Sequence, residues 1–236
     1  MKKNLLLIFI LYTPLLFSQE LTGTQLLKKA IQYHDPNGNW KTFDGQLFIT
    51  MEIPKKPNRD SRIIINLPKQ QFSIKSTVGE KVTQYIIEKD SVSIIFNGNS
   101  KPSKEILEEN RLSKSRAKLL KNYYTYLYGL PMKLNDPGTI IHEKVESKTF
   151  KGKNYWVLKA SYKKEVGNDT WHFYFNKDNY AMEMYQFYHD ESKNDGEYIL
   201  LSGEELVNDI KMPKIRAWYK NGDNTYLGTD ILKSLE

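Results

Sequence analysis

Two hydrophobic periods take turns along this chain. Leu26, Leu27, Ala30 and Ile31 recur at helical spacing, behind a Thr22 that can cap the first turn and a Gln25 placed to complete a capping box. Asp35-Pro36-Asn37-Gly38 is dense in turn formers, and the helix should stop near His34. From Trp40 the period drops to two: Leu47, Ile49 and Met51 alternate with Gln46, Phe48, Thr50 and Glu52, as along a half-buried strand. The same signal predicts strands at Arg62–Leu67, Gln71–Ser76, Lys81–Glu88 and Val92–Phe96, with Asn97-Gly98-Asn99 closing a first meander.

The helical period returns once, in two pieces. Ser103 caps the first, with Glu105, Glu108 and Glu109 near its positive end, and a break falls around Asn110–Ser113. Ser113 caps the longer piece, which runs to Pro131. At 100° per residue Leu112, Arg116, Leu119, Leu120, Tyr123, Tyr126 and Leu127 gather on one side, with Tyr124 at the margin. Leu119, Leu120, Tyr123 and Leu127 are therefore expected to be deeply buried, and Tyr124 and Tyr128 to border an opening. Gly129, followed by Leu130 and Pro131, stands where a left-handed helix ending would place a positive φ.

After Asp136-Pro137-Gly138 strands resume, at Thr139–Val145, Tyr155–Tyr162, Trp171–Phe175, Met182–Tyr188, Tyr198–Leu201, Ile215–Lys220 and a short one near Tyr226–Ile231. Asn194-Asp195-Gly196 and Asn221-Gly222-Asp223 supply hairpin turns that tolerate positive φ. The pattern predicts an α+β fold. A curved antiparallel sheet of about eleven strands, an unclosed half-barrel, would have its concave face covered by the N-terminal helix and the helical insertion.

Composition adds an address. Lys2 and Lys3, the apolar run Leu5–Phe17 and a small residue at Ser18 have the form of a secretory signal peptide, expected to be cleaved near Ser18. Residues 19–236 then make one domain. With no cysteine in the chain there is neither a disulfide nor an attachment point for a lipid anchor, so the expected location is a bacterial periplasm, as a soluble monomer. The net charge of +7 includes the two leader lysines. The remaining lysines are scattered, which speaks for a solvated surface and against nucleic acid, while leaving room for transient contact with a membrane or another envelope protein.

Candidate chemistry is sparse. His34-Asp35 could serve acid/base work, and Asp35, Asn37 and Asn39 have calcium-loop spacing, but the downstream glutamate is replaced by Gly45, Gln46 and Leu47. A helix stop with Trp40 anchored in the core is the better account. His142, His172 and His189 lie in separate strands without metal-ligand spacing. No nucleophile elbow or phosphate loop occurs, so no catalytic, metal or cofactor residue is assigned. The anomaly is aromatic: sixteen tyrosines, ten phenylalanines and four tryptophans, concentrated after residue 120. Buried tyrosines need partners for their hydroxyls, which points to an amphipathic hollow between sheet and helix. Its candidate lining is Tyr123, Tyr124, Leu127 and Tyr128 from the helix. From the strands come Trp156, Trp171, Phe173, Tyr185, Phe187, Tyr198 and Trp218.

The runs HDPNGNW, NYYTYLYGLPMKLNDPGTII, DTWHFYF, YQFYHDESKNDGEYILLSGEE and IKMPK resemble an uncharacterised family of secreted bacterial proteins, a domain of unknown function. The resemblance spans the mature chain and implies no catalytic residues. The order of elements is similar to that of the LolA/LolB-like lipoprotein carriers, which implies an unclosed barrel plugged by helices and able to hold acyl chains. The expected function is a periplasmic carrier of a hydrophobic, lipid-like ligand. The alternatives are a secreted hydrolase with a carboxylate or histidine at the mouth of the hollow, and a ligand-free structural or interaction module.

Overall fold

The computed structural model describes residues 20–233; the expected signal peptide and its cleavage point lie outside the described residues. Helix α1 (Gly23–His34) is followed by five strands, β1 (Asp44–Glu52), β2 (Arg59–Asn66), β3 (Gln71–Val78), β4 (Lys81–Glu88) and β5 (Ser91–Phe96). Helices α2 (Lys104–Glu109) and α3 (Lys114–Tyr128) come next. The chain then forms β6 (Thr139–Ile141), β7 (Glu146–Phe150), β8 (Lys153–Tyr162), β9 (Thr170–Asn176), β10 (Met182–Tyr188), β11 (Glu197–Val207), β12 (Ile210–Lys220) and β13 (Tyr226–Lys233).

All thirteen strands belong to one sheet, in the order β5-β4-β3-β2-β1-β13-β12-β11-β10-β9-β8-β6, with β7 also on β8. Every pairing is antiparallel. The two meanders join where β1 pairs with β13, so β5 and β6 end up on opposite edges of an unclosed half-barrel. The chain between them must cross the hollow, and α2 and α3 are that crossing. Topology thus places α3 over the concave face.

Most expected boundaries hold to within a few residues. The capping box at Thr22 forms as read, with the Gln25 side chain returning to the Thr22 backbone, and Ser103 and Ser113 cap α2 and α3. Four differences matter. The strand expected over Thr139–Val145 ends at Ile141, and a further strand, β7, pairs with β8. Strands β11 and β12 are longer than their apolar cores, because Asn208 and Asp209, both at positive φ (50° and 60°), make a tight turn between Val207 and Ile210. In the Asn221–Asn224 turn the positive φ falls on Asn224, not on Gly222.

The fourth difference is at the end of α3. Gly129 has φ −91°, so its expected left-handed conformation is not what the structure uses. Its N–H still closes the helix on Thr125 and Tyr126, but glycine is required there by contact. A Cβ would sit 2.2 Å from Cζ2 of the Trp40 ring. Trp40, buried against Phe43, is the floor on which the helix ends.

Candidate functional site

The face α3 turns to the sheet is not the one expected from its periodicity. Ala117, Tyr124, Leu127 and Tyr128 are the buried positions of the helix. Tyr123, Leu120 and Tyr126 are half-buried on either side, and Leu119 is 54% exposed. Tyrosine counts as nearly apolar on every side of this helix, so the hydrophobic arc is broad and its centre is set by packing rather than by pattern. Tyr124 and Tyr128 are core residues, not edge residues.

Around them the structure brings together nearly all of the expected lining. Tyr123 stacks on Trp218 at 6.1 Å between centroids, and Tyr185 meets Trp218 edge-on. Trp171 stacks with Phe173 and Phe187 and takes the edge of Tyr126. Leu127 shares the same core, and Trp156 packs at its margin with the Lys177 ammonium 4.1 Å above its ring centroid. Tyr198 is the exception. It pairs with Gln186 and Tyr219, on the outer face, in a separate cluster with Tyr155, Tyr174 and Phe150. Its strand was read correctly, but strand parity sends Ile199 inward in its place.

Beneath the aromatic layer lies a row of charge that the pattern of apolar residues hid. Arg216 on β12 faces Asp230 on β13, Asp230 faces Met51 on β1, and Met51 faces Arg59 on β2. Arg216 and Asp230 are fully buried. The Arg216 guanidinium lies 3.8 Å from the Tyr128 ring centroid and donates to the Pro213 carbonyl at 2.8 Å. Arg59 donates to the Tyr124 hydroxyl at 3.0 Å. Burial pushes the Asp230 carboxyl above its ordinary pKa, with Arg216 and Arg59 pulling it back down. The Trp218 indole is near Asp230 and the Tyr185 hydroxyl near Arg216, both outside hydrogen-bond geometry. Only parity could have found this row: Arg216 alternates in register with Trp218, and Asp230 with Leu232.

The centre of the hollow is therefore filled by side chains. Open space lies on the two flanks of α3. On the side of the second meander a cleft of about 500 Å³ is walled by Tyr126, Tyr162, Trp171, Val166 and Pro137, with Lys121, Lys133, Asp136 and Asp169 at its rim. The Tyr126 and Tyr162 hydroxyls hydrogen-bond each other across it. On the side of the first meander a cleft of about 600 Å³ runs between β2–β5 and the α2–α3 junction.

The histidines do other work. His34 is buried between Lys211, whose carbonyl its Nδ1 meets at 2.7 Å, and Met182, whose N–H donates to Nε2 at 2.9 Å. Asp35 accepts the N–H groups of Asn39 and Trp40, so its carboxylate is the turn's anchor and not a calcium ligand. His172 meets Glu191 at 2.8 Å, away from the clefts. His189 meets Asp169 at 2.7 Å on the rim of the first cleft, the one pairing that suits the hydrolase alternative. Among the described residues no hydroxyl hydrogen-bonds the other nitrogen of His189, so any such chemistry would use the pair on a water and not on a protein nucleophile.

With this geometry in view, three comparisons locate the chain. The model of the Family of unknown function (DUF6503) matches residues 2–234. No curated protein matches the sequence. Among solved structures, a domain from Vibrio parahaemolyticus, provisionally an outer membrane lipoprotein-sorting protein, aligns over 91% of this chain and 92% of its own, with a TM-score of 0.50 and 9% identity. A DUF1329 family protein from Desulfovibrio piger ATCC 29098 aligns over 89% and 91%, at 0.49 and 7%. At 9% identity the likeness to the first is one of fold alone, an unclosed antiparallel half-barrel.

Proposed function

The chain belongs to this family of unknown function, and we propose from its own geometry that it is a periplasmic carrier of a hydrophobic, lipid-like ligand. The observation that carries the reading is the cleft beside α3. Its volume falls in the range of small-molecule sites, roughly 300–1,000 Å³, and its wall is Tyr126, Tyr162, Trp171, Val166 and Pro137. Apolar wall with a few polar groups at the rim is the chemistry of a site that binds by burial and orients by hydrogen bonds. The fold shared with a lipoprotein-sorting domain supports the same class of ligand and the same compartment, and among the described residues no helix is long and apolar enough to cross a membrane.

Val166 tests it, because it lines the cleft while being 54% exposed, so changing it should not disturb the core. Val166→Glu places a charge where the ligand's hydrocarbon would lie. Binding of an uncharged fluorescent lipid analogue should weaken about tenfold with an unchanged melting temperature. Undiminished binding by the variant would remove the cleft from the function.

A further inference from the structure

The second cleft differs in character from the first. Its floor and walls are Ile74, Tyr85, Phe96, Leu112 and Leu120, but Arg59, Lys81, Arg111 and Arg116 also line it, against a single carboxylate, Glu109. Lys81 donates to the Asn110 side chain at 3.1 Å. None of these four cations forms an ion pair among the described residues.

Arg59 is the deepest of the four. One terminal nitrogen is held by the Tyr124 hydroxyl, while its Nε is buried and hydrogen-bonds no protein group. Asp230 lies within electrostatic reach of Arg59, yet it faces Arg216 directly across the β12–β13 pair. Two guanidiniums to one carboxylate leave positive charge on this face. Arg116 adds to it from α3, acting on both the Tyr124 and the Tyr85 phenols. Arg111 holds φ +52° after α2, with the Leu112 N–H bonded back to Leu107. Glycine would be least costly at such a position, but an arginine stands there and lines the cleft.

We propose that this cleft binds an anionic amphiphile, its carboxylate or phosphate held between Arg59 and Arg116 and its hydrocarbon laid against Ile74, Tyr85, Phe96, Leu112 and Leu120. A fork of guanidinium donors suits either anion, and the apolar wall beside it suits neither anion alone. The site is separate from the cleft of the carrier reading, and the two stand or fall independently.

The test compares a long-chain fluorescent fatty acid, its methyl ester, and inorganic phosphate, measured by direct titration on the full chain. The acid should bind about tenfold tighter than the ester, with an affinity that falls as salt rises. Arg116→Gln, on the exposed side of α3, should erase most of that preference without moving the melting temperature, and adding Arg59→Gln should erase the rest. Val166→Glu, in the other cleft, should leave the preference intact. Equal binding of acid and ester overturns the anion site, phosphate binding as tight as the acid overturns the amphiphile, and loss of the preference in Val166→Glu places the acid in the other cleft and overturns the assignment.

Discussion

At the scale of single residues, the polar groups of this protein are mostly fasteners, and His34 shows what that implies for pH. Its ring is buried between the Lys211 carbonyl and the Met182 N–H, so Nδ1 carries the proton and Nε2 must stay bare to accept. Burial lowers its pKa below the ordinary value, with neighbouring Lys211 and Arg216 charges acting the same way. The contribution to stability is complete above the unfolded value of about 6.5 and is lost as pH falls from there toward the folded value, at up to about 1.4 kcal/mol per pH unit. Urea midpoints of the native chain should therefore drop below pH 6.5 more steeply than those of His34→Asn, which keeps a donor but cannot titrate. His172 is shifted in the same direction and remains in both proteins, so parallel curves would show that His34 is not the group responsible.

Gly129 makes the complementary point about what a sequence can tell. Glycine ahead of Leu-Pro at a helix end reads as a left-handed cap, and the end itself was legible to within a few residues. What the pattern does not carry is the Trp40 ring arriving from a turn far away in sequence, 2.2 Å from where a Cβ would be. The two causes separate experimentally. If φ were the constraint, Asn would be tolerated; with contact as the constraint, Gly129→Asn and Gly129→Ala should both destabilise by about 1–3 kcal/mol, read from denaturant midpoints.

At the scale of elements, helix existence and limits were written in the capping residues and the change of period, whereas helix rotation was not. Fifteen residues of α3 contain four tyrosines, and a tyrosine signals neither inside nor outside. The sheet decides: it offers Arg216 to the Tyr128 ring and Arg59 to the Tyr124 hydroxyl, and the helix turns those two inward. The consequence is a reversed ranking of the helix's side chains. Tyr124→Ala and Tyr128→Ala should each cost about 3 kcal/mol or more, while Leu119→Ala should change stability by less than about 0.5 kcal/mol. Thermal or denaturant melts of the three variants check this directly, and a Leu119→Ala as costly as Tyr124→Ala would mean the helix is turned the other way. Strands fared better because their period is two, and the twelve expected segments became thirteen strands only through the addition of a short strand, β7, beside β8. Trp171, Phe173, Tyr185, Phe187, Trp218 and Tyr198 were all counted as lining by residue type; strand parity puts the first five on the inner face and Tyr198 on the outer one.

At the scale of the whole molecule, one pairing holds the two meanders together, and it was invisible to any local pattern. β1 and β13 lie far apart in the chain and are adjacent in the sheet. Through this seam runs the buried row in which Asp230 compensates Arg216 on one side and reaches Arg59 on the other. A seam so placed should make the protein unfold as one unit, with tryptophan fluorescence, reporting on Trp40, Trp156, Trp171 and Trp218, and far-ultraviolet circular dichroism tracing the same transition. It should also make the seam the point of greatest fragility. Asp230→Asn keeps size and shape but strands the Arg216 guanidinium, fully buried over the Tyr128 ring, with no carboxylate opposite. The two attract across the sheet without touching, both Asp230 oxygens lacking a hydrogen-bond partner among the described residues, so the cost should fall below the roughly 3–5 kcal/mol of a broken contact pair. The partner change Arg216→Met combined with Asp230→Asn returns the row to its native net charge, with Arg59 still in place, and should recover much of that loss. A single variant near wild-type stability would show that Asp230 contributes no compensation, and a double variant no better than the single would show that the loss arises from packing at the seam instead of from the stranded charge.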